Sequence, residues 1–468
     1  MDCALSRMLE IHSGVCQLCG MAKSYRPYVP EQSLLLAPNL RDWLPENHLA
    51  YFIGEVVDEL DLSAIEAHYE REERGYPPYH PRMMTKVLLY GYCVGVFSSR
   101  KLAQGLHEDI GFRVLAAGNT PDFRTLSEFR RIHLPVLQGL FEQVLRLALE
   151  LGAVKLGRVA IDGSKVKANA SRHKAMSYQR MKQEQRRLRE QVRQLLAEAE
   201  QVDAAEDARY GRTHSGDELP AELQRREDRL LRIRSARRAL EQRAREASED
   251  KTAENNDDDN NSGGSGVQGE AENKAKPKDK DQYNFTDPES RMMKGADGFV
   301  QAYNAQVAVE STLQLIVAQS VTQECNDKQQ LMPMLAAVEK QSGQKPEEVL
   351  ADTGYASEKN LKALAEAGAD GYIACGKQKH NQPPPPCPRG PIPKAATLTQ
   401  RMRRKLQTKL GRAIYAGRKT IVEPVFGQIK QRQGFRQFLL RGVEKVGAEW
   451  ALVCTAHNLL KLHSLCCA

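Results

Sequence analysis

No run of about 18–20 uninterrupted apolar residues occurs anywhere in this chain, so no transmembrane helix is expected. The N-terminus also lacks the basic-then-apolar layout of a secretory leader, and a cytoplasmic location follows as the expectation. The ten cysteines form no spacing framework; the close pairs are Cys16/Cys19 and Cys466/Cys467. A disulfide-stapled scaffold is thereby excluded, and reduced thiols are expected. No second Cys/His pair at finger-like spacing follows Cys16-Gln-Leu-Cys19, so nothing favours zinc. Net charge is also modest: 68 basic against 60 acidic residues give +8 over 468 residues. Its distribution is more telling. The window 401–445 holds 13 basic residues against two acids, Glu423 and Glu444, so it alone carries +11 and the remainder is slightly acidic. A concentrated basic stretch on a nearly neutral body is the footprint of a polyanion-binding face, with nucleic acid as the expected partner.

What is present divides into several units, as expected for a length well beyond the ~100–200 residues of one domain. From 21 to 152 the pattern is that of a helical N-terminal domain, with amphipathic helices over 82–92, 98–109 and 126–151, the last broken or kinked at Pro135. Thr125 stands as its cap, with Glu128 three residues on. Residues 1–20 read as an extension upstream of Met21. At Arg158-Val-Ala-Ile-Asp162 the pattern changes to a buried strand that breaks at Gly163. Leu188, Val192, Leu195 and Ala199, then Leu223, Leu230, Ile233 and Leu240, fit heptad positions on two charged helices, predicting a coiled-coil hairpin inserted over 172–247. The Asn/Asp/Gly/Ser/Lys-rich tract that follows, within 248–286, predicts a disordered linker.

Strand signals resume with 298–309 and 313–318, arranged as a hairpin, then a helix over 327–340, a strand over 348–352 ending in Asp352-Thr-Gly-Tyr, a helix over 358–367 and a strand over 371–374. The fold class is α/β, with residues 153–171 and 287–468 forming one domain. Asp162 and Asp352 end two different strands, a common way for side chains to converge at one sheet edge. Glu423 is the only acid between residues 401 and 443 and is the natural third. Three carboxylates suit Mg²⁺ or Mn²⁺, and two such ions ~3.5–4 Å apart serve in-line phosphoryl displacement. At helical spacing Tyr415, Lys419, Glu423 and Lys430 fall roughly on one face, although Pro424 either starts a new helix or kinks a longer one.

Ile161-Asp162-Gly-Ser-Lys165-Val-Lys167-Ala-Asn-Ala-Ser171, Leu350-Ala-Asp352-Thr-Gly-Tyr355-Ala-Ser357 and Val422-Glu423-Pro-Val-Phe-Gly-Gln-Ile-Lys430, followed by Gly434-Phe-Arg-Gln-Phe438 and Arg441-Gly442, resemble the motifs of DDE insertion-sequence transposases. The similarity is greatest to the insertion-sequence family numbered eleven-eighty-two and runs from about Met21 to the C-terminus. It implies an RNase H-like catalytic domain, two Mg²⁺ or Mn²⁺ ions and a catalytic, metal-holding triad of Asp162, Asp352 and Glu423. It also implies DNA partners, both terminal inverted repeats and target, a homodimer or larger assembly on that DNA, and nucleoid association when bound. The related Tyr-x2-Arg-x3-Glu-x6-Lys signature falls on Tyr415, Arg418, Glu423 and Lys430, and the resemblance implies Tyr415, Arg418, Lys419 and Lys430 as the DNA-contacting residues around that acid. Here four residues separate Arg418 from Glu423, which leaves Arg418 and Lys419 as alternatives for the cationic position. Cleavage and strand transfer is the implied activity; a nuclease of the same fold without strand transfer, and an inactive DNA-binding derivative, are the alternatives.

Overall fold

The computed structural model describes residues 39–70, 77–210, 221–256, 276–295, 298–376, 386–387 and 389–467. The Cys16/Cys19 pair lies outside them. The chain divides into two units, Met1–Trp43 and Leu44–Ala468; of the first, the described part is a 3₁₀ turn, Leu40–Trp43.

In the larger unit, helices α1 (Leu49–Glu59), α2 (Ser63–Glu70), α3 (Pro81–Cys93), α4 (Ser99–Glu108), α5 (Ile110–Leu115) and α6 (Phe123–Glu150) come first. Asp122, rather than Thr125, caps α6, its carboxylate accepting from Arg124 N at 2.8 Å. An Asp at that position satisfies an orphan N–H one turn earlier than the Thr would. Nor is α6 broken at Pro135. Leu126, Phe129, Leu134, Leu137, Leu140 and Phe141 are buried on both sides of it, and packing on that scale outweighs one absent backbone bond.

The mixed sheet is built from β1 (Arg158–Lys167), β4 (Arg291–Gly295), β5 (Gly298–Glu310), β6 (Ile316–Thr322), β7 (Glu348–Ala351) and β8 (Asp370–Ile373), the labels β2 and β3 belonging to Ala175–Ser177 and Gln282–Asn284. The order is β4-β5-β1-β7-β8, with β6 also on β5. β1, β7 and β8 are parallel, and β5 runs antiparallel to β1, β4 and β6. β1 does not stop at Gly163 but pairs with β5 as far as Lys167 opposite Ala302. Its second half is half-buried and polar, so the hydrophobic signal ends while the ladder continues. α9 (Leu331–Ser342) and α10 (Glu358–Glu366) connect the parallel strands. α11 (Leu398–Gln407), α12 (Lys409–Gly427) and α13 (Val443–Cys466) follow.

α13 is apolar nearly all round because it lies between β6 and helices α3 and α6, so the N-terminal helices and the sheet share one core. Its polar residues are matched to specific partners. Asn458 accepts from Ile316 N and donates to Ile316 O, both at 2.8 Å, acting as a short extension of the sheet edge. Glu449, fully buried, accepts from the amides of Leu439 and Leu440 at 3.0 Å. Burial pushes the Glu449 carboxyl up to about 7, with those two amides and Arg130 opposing the rise. A carboxyl raised in the folded protein contributes stability below its unfolded pKa, and that contribution is lost as pH rises through about 7. The melting temperature of Glu449→Gln should therefore fall less than the parent's between about pH 5 and about pH 8. Parallel falls followed by circular dichroism would exclude Glu449 as the source.

Away from this core, α7 (Tyr178–Tyr210) and α8 (Ala221–Asn256) build a second apolar cluster from Tyr178, Met181, Leu188, Leu230, Ile233, Ala236 and Leu240. Tyr178 bonds Glu241, Glu184 pairs with Arg229 and Arg237 donates to Gln185, so the helices run antiparallel. α8 continues to Asn256, inside the segment whose composition suggested a linker, and residues 282–284 form β3 on β2.

Candidate active site

Two acids meet because two strands are parallel and in register. Ile161 on β1 lies opposite Ala351 on β7, so the next residues, Asp162 and Asp352, emerge side by side. Asp352 leaves the strand as the cap of the turn Thr353–Tyr355, its carboxylate accepting from Gly354 N at 2.7 Å. That bond fixes the direction of the carboxylate. Gly354 is required for close approach: a Cβ there would sit 2.9 Å from Asp352 Oδ1 and 3.3 Å from Asp327 Oδ2. Asp162 accepts from Gly163 N at 2.8 Å. Burial pushes its carboxyl up to about 6; Arg418 opposes the rise and the Asp352 charge adds to it.

α12 brings the cations. Arg418 Nη1 donates to Asp162 Oδ2 at 3.0 Å, and its ring neighbour Tyr415 is half-buried, its hydroxyl pKa raised by burial. Burial works against the Arg418 charge, but Asp162, Tyr415 and Asp352 more than offset it and its pKa is raised. Its Nε is buried. Lys430 reaches Ser164 Oγ, two residues along β1 from Asp162. Burial lowers its pKa and the Asp162 charge opposes that. Lys430 rides on a π-helical turn, Gln428–Arg432, a local widening often found at functional positions.

α12 passes through Pro424 without ending. Proline has no N–H to give the carbonyl of Thr420, one turn back, and Gln314 Nε2 donates to that carbonyl instead at 2.9 Å. The helix is therefore intact, and the face expected from its spacing is divided. Arg418 and Lys430 turn toward β1, whereas Lys419 and Glu423 are exposed. Between the two cationic alternatives, the one that reaches Asp162 is Arg418. Among the described residues, no group of three or more His, Cys, Asp or Glu is placed to hold a metal ion.

On the other face of β1, sequence reasoning missed a polar network. Asp327 Oδ1 accepts from Asn304 Nδ2 at 2.6 Å, Gln306 Nε2 at 2.8 Å and Lys165 Nζ at 3.1 Å. Tyr355 donates its hydroxyl to Gln306 Oε1. A signal was available, since Asn304 and Gln306 alternate with Ala305 and Val307 along a strand that is otherwise apolar and wholly buried there. Buried amides at period two need partners.

The basic window is also less free than its count suggests. Arg401, Arg403 and Arg404 donate to backbone carbonyls, Lys405 pairs with Asp370, and Arg441 donates to Asn169 O.

Residues 38–131 match the family described as "Transposase domain (DUF772)", and residues 390–463 match "Transposase DDE domain". The first spans α1 to the start of α6; the second contains α11 to most of α13 with Tyr415, Arg418, Lys419, Glu423 and Lys430, while Asp162 and Asp352 lie between the two. No curated protein and no solved structure matches the chain.

Proposed function

Since the chain belongs to the DDE insertion-sequence transposases, we propose that it cuts and joins DNA strands at the terminal inverted repeats of an insertion sequence, with Asp162 and Asp352 holding divalent metal. The observation that carries this reading is the pair of carboxylates set side by side on parallel strands, with Arg418 and Lys430 turned toward the same strand. The donor set fits Mg²⁺ or Mn²⁺: carboxylate oxygens are hard ligands, and a bound cation would relieve both the burial of Asp162 and its repulsion from Asp352. Two such ions, when bound, would activate the attacking oxygen and stabilise the leaving oxygen of the phosphoryl displacement. The chain's own contribution is positional. The β1/β7 register fixes the two aspartates, Gly354 N orients one of them, and Arg418 Nη1 holds the other. Glu423 as third ligand, the RNase H-like class of the sheet and membership of the eleven-eighty-two family rest on the resemblance. The sheet's hairpin followed by parallel strands supports the fold class.

DNA is the partner that the family implies, and two transposon ends call for two active sites, hence a dimer or larger assembly. Among the described residues no helix is long and apolar enough to cross a membrane. We read the cytoplasm as the location, with the nucleoid when DNA is bound. Phosphate contact falls to the exposed cations. Lys419→Ala should weaken binding to all sequences and reduce the slope of log affinity against log salt by roughly one, whereas Lys430→Ala should leave the slope unchanged and depress cleavage. Filter binding across a salt series separates the two, and the reverse pattern would reassign them.

One observation favours a second reading, a DNA-binding derivative that does not cut: Glu423 is exposed, and among the described residues no three acids form a group placed to hold a metal ion. The test is direct. Linear DNA bearing the short inverted repeats that flank the gene should be nicked at the repeat ends with Mg²⁺ and left whole with chelator; intact DNA under both conditions would support the second reading.

A further inference from the structure

We propose that Asp327 is a positioning residue of this site, a fourth carboxylate that sets Asp352 through Gln306 and Tyr355; this rests on the metal-dependent reading above. Asp327 precedes α9 and belongs to none of the motifs that carry the family resemblance. Its Oδ1 gathers three donors from two adjacent strands, Lys165 of β1 and Asn304 and Gln306 of β5. This convergence determines how the Gln306 amide is turned. With Nε2 committed to Asp327 and to Asn304 Oδ1 at 3.0 Å, Oε1 must face the other way, and there it accepts the Tyr355 hydroxyl. Tyr355 is fully buried and closes the turn that Asp352 opens.

A second contact joins the same parts. Asp327 Oδ2 and Asp352 Oδ1 flank Gly354 from two sides, each within 3.3 Å of where a Cβ would stand. The turn is therefore held at its hydroxyl end through Gln306, and Asp327 stands close to its middle, leaving room there only for a glycine. Gln306 also lies opposite Gly163, the residue that follows Asp162. One carboxylate thus braces the backbone beside both aspartates. Groups that orient a metal-holding carboxylate without touching the ion commonly change metal affinity or activity 10–100-fold when removed.

Asp327→Asn keeps the shape and removes the charge. An amide there can accept on one atom only, and its NH₂ would face the donors or Gly354, so the Gln306 amide loses its fixed orientation. The experiment measures Mn²⁺ binding by the electron paramagnetic resonance of free Mn²⁺, in the DNA-free full chain, beside the cleavage rate and the melting temperature. Expected for Asp327→Asn are Mn²⁺ binding weakened about 10–100-fold, a comparable loss of cleavage and a melting temperature within a few degrees of the parent. Tyr355→Phe, which deletes one hydroxyl, should act in the same direction, and the double variant should be no worse than the worse single one. Mn²⁺ binding of Asp327→Asn within twofold of the parent, or losses that multiply in the double variant, would overturn the proposal while leaving the metal-dependent reading intact. A parent chain that neither binds Mn²⁺ nor cuts DNA would overturn both. Should Asp327→Asn fail to fold, parental Mn²⁺ binding by Tyr355→Phe alone is the overturning result.

Discussion

Asp162→Ala and Asp352→Ala should each lower strand cleavage by about a thousandfold or more and leave DNA affinity within a few-fold of the parent. The two carboxylates are side by side only because β1 and β7 are parallel and in register, and neither belongs to the exposed basic surface. Removing one withdraws oxygen ligands from a position whose geometry sets the reacting oxygens, a loss of several kcal/mol of transition-state stabilisation. On the proposed reading affinity rests on the cations of α12 and its surroundings, so it should be untouched, or slightly improved by deletion of a negative charge near phosphates. Asp162→Ala also strands the Arg418 guanidinium, so Asp162→Asn, which retains an acceptor, is the cleaner control. Glu423→Ala decides the role of that acid: a loss equal to that of the aspartates makes it the third ligand, and near-parental cutting makes it a surface residue. Cutting by Asp162→Asn or Asp352→Ala at near the parental rate would remove that residue from the site.

Gly163→Ala is the second large effect. A Cβ at 163 would sit 2.1 Å from Gln306 Nε2 and 2.9 Å from Asn304 Oδ1. Contacts that short cannot be absorbed by rotating a loose side chain, because both amides are bonded to Asp327. Either β1 separates from β5 or the amides leave the carboxylate, and overpacking with lost buried hydrogen bonds costs about 2–4 kcal/mol. The expected result is a clearly lower unfolding midpoint in urea together with loss of cleavage. Gly139→Ala is the comparison, since nothing lies within 4 Å of its Cβ position inside α6. That variant should gain about 0.5–1 kcal/mol. Equal midpoints for the two variants would show that the space around Gly163 is not limiting.

These two results bear on different kinds of information in the chain. The strands that carry Asp162 and Asp352 were legible because each opens with a short run of buried residues, and a local signal of that kind is decided within a few positions. Three helices of the N-terminal half, α3, α4 and α6, were legible for the same reason, apart from the cap and Pro135 of α6. What escaped depends on partners far along the chain. β1 continues past Gly163 because β5, about 140 residues on, is long enough to pair with it. α12 survives Pro424 because Gln314 supplies the bond that the proline lacks. Asp327 is one aspartate among many until Lys165, Asn304 and Gln306 are brought to it. Helical spacing alone also put Tyr415, Lys419, Glu423 and Lys430 on one face; in the fold Lys430 reaches β1 from a π-helical turn and Tyr415 is half-buried, while Lys419 and Glu423 face solvent.

The most direct measurement is a joining assay. The full chain is incubated with two DNA ends carrying the flanking inverted repeats, a supercoiled target plasmid and Mg²⁺, and the products are resolved by size and sequenced across the junctions. The account predicts repeat ends joined covalently to the target, absent with chelator and absent with Asp162→Asn or Asp352→Ala. Ends that are cut but never joined would contradict a transposase and describe a nuclease, and DNA left uncut in Mg²⁺ would contradict the assignment of chemistry to the two aspartates.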